Sequence, residues 1–376
     1  MRDHSPQFKG SLVLTGGGTG GHFFPAVALA EGARSRWPEL PICFMGAHRG
    51  IEARALPEGP WPYLLMDLEG FLGRSPLRAM KSAWKLWVAI SRLKGLWRRS
   101  RPRAVVGTGG YAAAPGLLAA RSMGIPFFIH ESNAAPGALV KSVARSAQRV
   151  WCGMEAVLPL LPRADCRVVG TPVRKAFLRD FSPTSSLEAP FKLLVLGGSG
   201  GARAINEAMM ELAPHLLETR SDWEILHQAG AAGFDQWKGL LRHPRHELIA
   251  FISEMDGAME SASLILGRSG ASTCAELKAS GRPSLLIPLP TSANDHQRQN
   301  ARAMVAEGRS IMVEQGPEFA VRLKAALDPL LGEVEARHRI TQGAEPNRAV
   351  DLCLDDLAAY FDCRGSANQA TTMEMK

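Results

Sequence analysis

The sequence predicts an α/β fold in which two Rossmann-like domains, each built on a parallel sheet, face each other across a cleft. A length of 376 residues suits two α/β cores better than one. Short apolar segments alternate with helical ones along the chain, which is typical of parallel sheets. Two glycine-rich turns, at residues 16–21 and 197–201, each follow an apolar strand and precede a helix, one in each half.

The elements of each half follow from the same alternation of apolar strands and helices. In the first half, the strand at 12–15 is followed by a helix at 26–36, and further strands are expected at 40–45, 104–107, 126–130 and 168–172. In the second half, strands are expected at 192–196, 223–227, 247–251, 264–266 and 284–287, with a helix at 204–217.

These elements place a first domain at 8–172 and a second at 173–349. A segment with prolines and several serines, at 180–190, is expected to be the linker. A helix at about 350–362 is expected to pack back onto the first domain. The polar residues 363–376 are expected to be disordered.

Composition excludes several classes of protein. The six cysteines show neither metal-ligand spacing nor a disulfide framework, which fits a reducing cytoplasm. The first ten residues are polar and show no signal peptide. The longest uncharged stretch, 104–120, contains glycines and a proline and is too short for a membrane span. We therefore expect a soluble protein, and its 46% of hydrophobic residues is enough for two cores.

The net charge of +8 is concentrated in one segment. Residues 70–103 contain ten basic residues and no acidic one, and apolar residues that include Trp84, Trp87 and Trp97 recur every three or four positions. This period predicts an amphipathic helix. The helix either packs on its own domain with a solvated basic face or settles on an anionic lipid surface, with tryptophans at headgroup depth. No nucleic-acid partner is expected, because no nucleic-acid-binding motif accompanies the basic residues.

The two glycine-rich turns predict sites for anions. A strand that enters a helix through glycines leaves backbone N–H groups exposed, and the helix dipole favours a negative group there. A single glycine-rich turn can also serve only a tight bend. Neither turn has the G-x-G-x-x-G spacing of a dinucleotide-binding loop, which argues against a dehydrogenase. A non-catalytic protein that binds a nucleotide sugar is not excluded by these turns.

A set of motifs occurs in order along the chain. The motifs are Gly17-Gly18-Thr19-Gly20-Gly21-His22, Gly46-Ala47-His48-Arg49-Gly50-Ile51-Glu52, Gly109-Gly110-Tyr111, His130-Glu131-Ser132-Asn133, Gly170-Thr171-Pro172-Val173-Arg174, Gly197-Gly198-Ser199-Gly200-Gly201-Ala202-Arg203, Arg268-Ser269-Gly270-Ala271-Ser272-Thr273 with Glu276, and Asp295-His296-Gln297 with Asn300-Ala301. Together they resemble the MurG family of peptidoglycan N-acetylglucosaminyltransferases, from about residue 12 to 357. No single motif is specific, but the set is highly specific.

The resemblance implies a GT-B fold and an inverting transfer of N-acetylglucosamine. The donor would be UDP-N-acetylglucosamine, bound by the C-terminal domain. The acceptor would be the 4-hydroxyl of N-acetylmuramic acid in undecaprenyl-diphosphoryl-N-acetylmuramoyl pentapeptide (lipid I), and the product would be lipid II. The resemblance also implies a peripheral protein on the cytoplasmic face of the bacterial inner membrane. No cofactor is expected, and the lack of a D-x-D motif predicts no obligatory metal.

The resemblance also assigns roles to individual residues. His22 is the expected base, because a neutral imidazole accepts a proton near pH 7, and Glu131 is either a second base or an orienting group. The expected acceptor contacts are Gly21, His22, Tyr111 and Glu131. The expected donor contacts are Gly18, Thr19, Gly20, Asn133, Arg174, Ser199, Gly200, Ile252, Ala271, Ser272, Thr273, Glu276, His296 and Gln297.

Four of the donor contacts have specific expected tasks. Ser199 and Arg174 would stabilise the leaving diphosphate, Glu276 would accept hydrogen bonds from the ribose hydroxyls, and the backbone of Ile252 would recognise uracil. Each has an ordinary structural alternative, namely a capping serine, a surface arginine, a glutamate that complements a helix dipole and a core isoleucine.

The sequence departs from the family pattern at Met45, Ser132, Thr171 and Gly200, which replace a glycine, a glutamine, an asparagine and a glutamine-like residue. These local changes bear on the preference for sugar or acceptor and not on the class of reaction. Related GT-B enzymes, either a diacylglycerol glycosyltransferase or a UDP-sugar 2-epimerase, are alternatives. The epimerase has no lipid acceptor, so the basic tryptophan-bearing segment argues against it.

Overall fold

The computed structural model describes residues 7–70, 76–178, 189–198, 200–230, 234–240, 243–292, 295–341 and 346–374. These residues form two compact units. The first unit comprises the chain up to Ser132, Pro136–Lys175 and the residues from Asn347 onward, and the second comprises Asn133–Ala135 and Ala176–Pro346. Most of the linker expected at 180–190 lies outside the described residues.

The first unit contains a parallel sheet. Its described strands are β1 (Leu12–Thr15), β2 (Ile42–Ala47), β3 (Tyr63–Met66), β4 (Ala104–Gly107), β5 (Phe127–Glu131), β6 (Arg149–Cys152) and β7 (Cys166–Val168). They lie in the order β3-β2-β1-β4-β5-β6-β7. The strands β1, β2, β4 and β5 are buried along their whole length, which is why their sequences are continuous apolar runs.

Helices cover both faces of this sheet. The first five are α1 (Gly20–Arg36), α2 (Glu52–Glu58), α3 (Pro76–Arg99), α4 (Ala114–Ser122) and α5 (Ala138–Val143), and short 3-10 helices occur at Tyr111–Ala113, Ala144–Ser146, Glu155–Leu160 and Lys175–Phe177. One face of β1, which carries Val13, packs in a core with Leu93 of α3 and Leu117 of α4. The opposite face, which carries Leu14, packs with Leu29 of α1.

The second unit contains a second parallel sheet. Its described strands are β8 (Phe191–Leu196), β9 (Trp223–Gln228), β10 (His246–Ile249), β11 (Leu264–Gly267), β12 (Ser284–Leu286) and β13 (Ser310–Met312), in the order β10-β9-β8-β11-β12-β13. Its helices are α6 (Arg203–Thr219), α7 (Phe234–Trp237), α8 (Met255–Ser261), α9 (Ala271–Ser280), α10 (His296–Ala306), α11 (Phe319–Gly332) and α12 (Val334–His338). The two parallel sheets confirm the predicted pair of Rossmann-like domains.

The last helix, α13 (Ala349–Glu374), belongs to the first unit. It packs on α1 so closely that a Cβ on Gly32 would lie 2.4 Å from Val350. Its Asp356 accepts a hydrogen bond from the Trp151 indole at 2.8 Å and pairs with Arg167 at 2.7 Å. The helix continues to Glu374, past the point where the sequence predicts disorder. Once its first half is anchored, each added residue gains a backbone hydrogen bond without a new nucleation step.

Three of the described strands are absent from the sequence-based expectation, and one ends earlier than expected. The strands β3, β6 and β13 have only three or four residues, and periodicity does not distinguish such short apolar runs from other structure. The strand expected at 168–172 ends at Val168. The chain turns at Gly170, whose φ of +82° lies in the left-handed region that glycine adopts without strain. Within the described residues, no helix is both long and apolar enough to cross a bilayer.

Candidate active site

Each glycine-rich turn lies where the strand order of its sheet reverses. In the first unit, β1 and β4 are neighbours although β2 and β3 come between them in the chain, and the first turn follows β1. In the second unit, β8 and β11 are neighbours, the second turn follows β8 and α9 follows β11. Open α/β sheets bind ligands outside the carboxyl ends of their strands at such a switch point. Both turns therefore have the setting of a binding site.

The first turn lies against the loop that follows β4. The Gly17 N–H donates to the Gly109 carbonyl oxygen at 3.4 Å. A Cβ on Gly110 would lie 2.1 Å from the carbonyl oxygen of Gly17, so a larger residue there would separate the two loops. Gly109 and Gly110 also have φ angles of +101° and +74°. The Gly109-Gly110 pair thus permits the close approach of the two loops.

His22 lies in the first turn of α1 and is oriented by Thr108. The His22 Nδ1 atom is 3.1 Å from the Thr108 carbonyl oxygen, and the Thr108 hydroxyl donates to the His22 carbonyl oxygen at 2.6 Å. Because a carbonyl oxygen only accepts, Nδ1 carries the proton of the neutral ring and Nε2 carries the lone pair. This tautomer is able to accept a proton from a hydroxyl at Nε2.

The rest of the first turn differs from the expected open anion site. Thr19 is the exposed N-cap of α1 and makes no side-chain capping bond, and Gly20 is the first residue of the helix. The Gly18 N–H, in contrast, donates to both carboxylate oxygens of Glu52, at 2.8 and 3.1 Å. The expectation that this turn leaves its amides exposed is therefore wrong for Gly18, because a carboxylate of the protein itself occupies that donor.

Tyr111 and Arg174 lie near the same turn and α1. The Tyr111 hydroxyl donates to the Arg49 carbonyl oxygen at 2.8 Å, and a Cβ on Gly18 would lie 2.8 Å from the tyrosine ring. The Arg174 guanidinium lies over the ring of Phe24 on α1, 4.4 Å from the ring centroid. This cation–π contact holds the charge of Arg174 close to the start of α1.

Glu131 is engaged by the protein. Its Oε2 atom accepts the N–H of Gly137, the N-cap of α5, at 3.0 Å, and its side chain is only 4% exposed. The carboxylate therefore stabilises the start of α5. Its neighbour His130 donates from Nε2 to the Gly170 carbonyl oxygen at 2.9 Å and accepts at Nδ1 from the Ser132 hydroxyl at 3.1 Å. Burial lowers the pKa of His130 to about 4, so this ring is neutral.

The second turn combines close backbone packing with an exposed tip. The Gly197 N–H donates to the Gln228 carbonyl oxygen at 3.1 Å, and a Cβ on Gly230 would lie 2.2 Å from the backbone of Gly201. Gly200 is exposed at the tip. Ser199, the side chain expected to bind the diphosphate, lies outside the described residues.

Helix α9 supplies a second helix start in the same unit. It begins with Ala271, Ser272 and Thr273, and its N-cap is Gly270, which has no side chain to cap the first amides. The negatively charged group favoured at a helix N-terminus therefore cannot be the N-cap side chain and must be supplied by another residue or by a ligand. Glu276 lies one turn further along and is 9% exposed.

Ile252, expected to recognise uracil through its backbone, already has a partner. Its N–H donates to the side-chain oxygen of Gln228 at 3.1 Å, and its side chain is buried. Gln228 ends β9 and is itself buried. A uracil that binds the Ile252 N–H must displace this carboxamide. Gln228 is not among the residues expected from the sequence, although a glutamine at the end of an apolar strand is a signal of such a role.

The segment of His296 and Gln297 is tied to the start of α9. His296 is the first residue of α10, and the Gln297 side-chain oxygen accepts the Leu289 N–H at 3.0 Å. The Ser269 hydroxyl donates to the Gln297 carbonyl oxygen at 2.8 Å, and Asn300 donates to the Ser269 carbonyl oxygen at 3.0 Å. Hydrogen bonds therefore join two segments of expected donor contacts, the start of α10 and the start of α9. Asn133 also belongs to the second unit.

Helix α3 carries the largest group of exposed apolar side chains in the described chain. Trp84 and Trp87 are 63% and 58% exposed, and their rings stack with centroids 5.1 Å apart. They share one face with further exposed apolar residues at helical spacing, namely Leu77, Met80 and Val88. This face, which we call the α3 apolar face, comprises Leu77, Met80, Trp84, Trp87 and Val88.

The expectation that Trp97 contacts a membrane is wrong. Its side chain is fully buried and makes an edge contact with Phe8, 6.1 Å between ring centroids. Trp97 continues the buried face of α3 that contains Leu93. Lys85 also differs from the open basic face expected for this segment. Asp67 and Glu69 accept hydrogen bonds from its ammonium at 3.0 and 2.5 Å and raise its pKa.

Comparison with known proteins agrees with this architecture. Residues 12–152 match the N-terminal domain model of glycosyltransferase family 28, and residues 192–351 match its C-terminal domain model. A relative from Syntrophotalea carbinolica is 41% identical over 81% of this chain and 85% of its own length, and one from Geotalea uraniireducens is 38% identical over 94% and 99%. Both are named UDP-N-acetylglucosamine–N-acetylmuramyl-(pentapeptide) pyrophosphoryl-undecaprenol N-acetylglucosamine transferase.

Solved structures show the same fold. The structure of Acinetobacter baumannii MurG superposes with a TM-score of 0.67 at 26% identity and covers 92% of this chain and 98% of its own. A Listeria monocytogenes protein described as a UDP-N-acetylglucosamine 2-epimerase has a TM-score of 0.65 at 16% identity, covering 94% and 97%, which shows the shared fold alone.

Two parallel-sheet units with glycine-rich turns at their switch points, together with these matches, define a glycosyltransferase of the GT-B fold. Within that class, the chain belongs to glycosyltransferase family 28 and to its MurG family of N-acetylglucosaminyltransferases.

Proposed function

We propose that this protein transfers N-acetylglucosamine from UDP-N-acetylglucosamine to the 4-hydroxyl of N-acetylmuramic acid in lipid I, with inversion, and so produces lipid II. The proposal is supported by relatives named for that transfer, at 35–41% identity over most of the chain. It is also supported by the motif set, in which the expected base and the expected donor-binding carboxylate are both present. The reaction takes place at the cytoplasmic face of the inner membrane.

The observation that carries the proposed mechanism is the orientation of His22. An inverting transfer needs a base beside the attacking hydroxyl. The bond from Nδ1 to the Thr108 carbonyl oxygen selects the tautomer whose Nε2 accepts a proton. The Glu131 carboxylate accepts the N–H of Gly137, the N-cap of α5, and so stabilises the start of that helix. We therefore assign proton abstraction to His22 and a positioning role to Glu131.

The leaving diphosphate is stabilised in the second unit. The second turn and α9 both offer helix starts, and the N-cap of α9 is a glycine. The resemblance assigns a further positive charge to Arg174, which lies against Phe24 in the first unit. In this arrangement, backbone amides and one arginine do the work that a divalent cation does in other glycosyltransferases.

Glu276→Ala is expected to weaken donor binding. Loss of two hydrogen bonds from the ribose hydroxyls to a charged carboxylate raises the dissociation constant of UDP-N-acetylglucosamine about 10- to 100-fold. The turnover at saturating donor changes little, because the ribose does not react. Calorimetric titration with the donor measures the effect, and Glu211→Ala, an exposed position on α6, is the matched control. Wild-type affinity in Glu276→Ala contradicts this assignment.

The α3 apolar face is the surface by which the protein meets an anionic membrane. Two stacked indoles more than half exposed are the side chains that prefer the headgroup region. The exposed basic residues of the same helix add electrostatic attraction; they are Lys81, Arg92, Arg98 and Arg99.

Replacing Trp84 and Trp87 together by serine is expected to reduce binding to vesicles of anionic phospholipid at least about tenfold, because both indoles leave the interface. The melting temperature stays within a few degrees of wild type, since neither ring is buried. Co-sedimentation with vesicles measures the binding, and Leu240→Ser, an exposed apolar residue of the second unit, is the control. Unchanged sedimentation of the double variant contradicts a membrane role for α3.

The decisive experiment is transfer of radiolabelled N-acetylglucosamine from its UDP donor to a short-chain lipid I analogue in the presence of EDTA. Labelled lipid II analogue is the expected product, and its formation without added metal supports the proposed metal-free mechanism. No transfer after magnesium is restored, by a protein that still binds the donor, contradicts the proposed acceptor. Formation of the 2-epimer of the donor without any acceptor favours the epimerase instead.

A further inference from the structure

The first glycine-rich turn has a feature that the proposed function leaves unused. Glu52, the first residue of α2, is completely buried. Its Oε1 and Oε2 atoms accept the Gly18 N–H at 3.1 and 2.8 Å, and Oε1 also accepts the Ala47 N–H at 3.2 Å. No salt bridge to Glu52 occurs among the described residues. A buried carboxylate thus has backbone amides, rather than a basic side chain, as its partners.

Three glycines from two motifs provide the space for this carboxylate. A Cβ on Gly17 would lie 2.4 Å from the Glu52 carboxyl carbon, one on Gly46 would lie 2.6 Å from its Cγ, and one on Gly50 would lie 2.6 Å from Oε2. Distances below 3.0 Å require one of the atoms to move. Each of three segments therefore needs a glycine to leave room for the Glu52 side chain. These segments are the first turn, the end of β2 and the loop before α2.

We propose that Glu52 is a positioning residue for the transfer: its carboxylate fills the anion site of the first turn from inside the protein and thereby fixes the turn that leads into α1 and His22. The inference rests on the proposed function for its catalytic consequence. The turn is held from two sides, by Glu52 at Gly18 and by the loop after β4 at Gly17 and His22. The catalytic imidazole follows these two fixed glycines within a few residues.

The same carboxylate makes the two glycine-rich turns chemically different. A negative charge already bonded to the first turn repels a second anion, so the first turn does not hold a diphosphate. It favours instead the positive charge that appears on an imidazole when it takes up a proton. The described hydrogen bonds of the second turn come from backbone groups, and no carboxylate bonds to it there. The leaving diphosphate is therefore directed to the second unit and proton abstraction to the first.

Glu52→Gln tests the inference. The glutamine has nearly the same shape, but its amide nitrogen cannot accept the Gly18 N–H, so the two-oxygen contact is lost. We expect kcat to fall about 10- to 100-fold, the scale of a lost charge-assisted hydrogen bond, while the KM and the dissociation constant of UDP-N-acetylglucosamine change less than about twofold. Hydrogen exchange of the backbone around Gly18 is expected to accelerate. Glu58→Gln, an exposed position on the same helix, is the control and keeps wild-type kinetics.

Gly17→Ala is the second variant, used if Glu52→Gln does not fold. Its Cβ displaces the carboxylate without changing any charge, and it is expected to give the same loss of kcat with unchanged donor affinity. Wild-type kcat in folded Glu52→Gln or Gly17→Ala, or an equal loss of kcat and of donor affinity, overturns the positioning role. An inactive wild-type protein instead contradicts the proposed function, and Gly18 exchange still reports on the carboxylate contact in that case.

Discussion

His22→Ala is expected to lower kcat by about 10³-fold, within the range measured for removal of a general base. The donor dissociation constant stays within about twofold of wild type, because the residues proposed to bind the donor are unchanged. The physical reason is the tautomer set by Thr108, in which Nε2 is the ring nitrogen able to accept a proton. Single-turnover transfer to a lipid I analogue measures the chemical step directly.

Two comparisons make this result specific. His48→Ala removes an exposed histidine from a neighbouring motif and is expected to keep the wild-type rate. Glu131→Gln is expected to impair folding stability or acceptor KM more than kcat, because its carboxylate binds the Gly137 N–H. If Glu131→Gln abolishes the chemical step and His22→Ala does not, the base is Glu131 and the assignment made here is wrong.

Stability is expected to fall steeply below pH 6.5. Burial lowers the pKa of His130 to about 4, and burial with the neighbouring His246 lowers that of His227 to about 3. The unfolded chain binds these protons near pH 6.5, so the folded state has its full stability above that pH and loses it as the pH falls towards 4. For each fully buried ring the loss at pH 5 is about 2 kcal/mol. Urea unfolding at pH 7.5, 6 and 5 measures it.

A pair of variants isolates the contribution of His227. In His227→Gln the side-chain amide can still donate to Asn206, which bonds the His227 Nε2 at 3.1 Å in the wild type. We expect the difference in unfolding free energy between pH 7.5 and pH 5 to shrink by about 2 kcal/mol in this variant. His215→Gln, exposed on α6, is expected to leave the difference unchanged. Equal pH dependence in all three proteins contradicts the neutral buried state of His227.

The sequence predicted the settings of both turns because local chemistry determines them. Each turn is preceded by an apolar run and followed by an amphipathic helix, and local sequence predicts all three parts. The bounds of the strands before the turns, β1 and β8, agree with the prediction to within one residue. The buried partners of the turns were not predictable in the same way. The contacts between Glu52 and Gly18 and between Gln228 and Ile252 join residues that are distant in the chain. Only the folded sheet brings them together.

The position of Trp97 shows what a helical period does not predict, namely which side of the helix is buried. Its position fits the same helical period as Trp84 and Trp87. The period predicts a helix, but it does not predict which of the apolar side chains pack against the domain. The structure places Trp97 in the core and the other two outside. The short strand β13 illustrates a different limit, since three residues carry no period at all.

The return of α13 to the first unit has a consequence for synthesis on the ribosome. In the first unit, Asp356 bonds Trp151 and Arg167, so the packing around its sheet is completed by a helix that is made after the whole second unit has been translated. The second unit is in effect an insertion within the first. Apart from residues 133–135, the second unit is one continuous segment of chain. The ribosome therefore completes it before it makes the last helix of the first unit. During translation, the first unit is thus the last of the two to acquire its complete native packing.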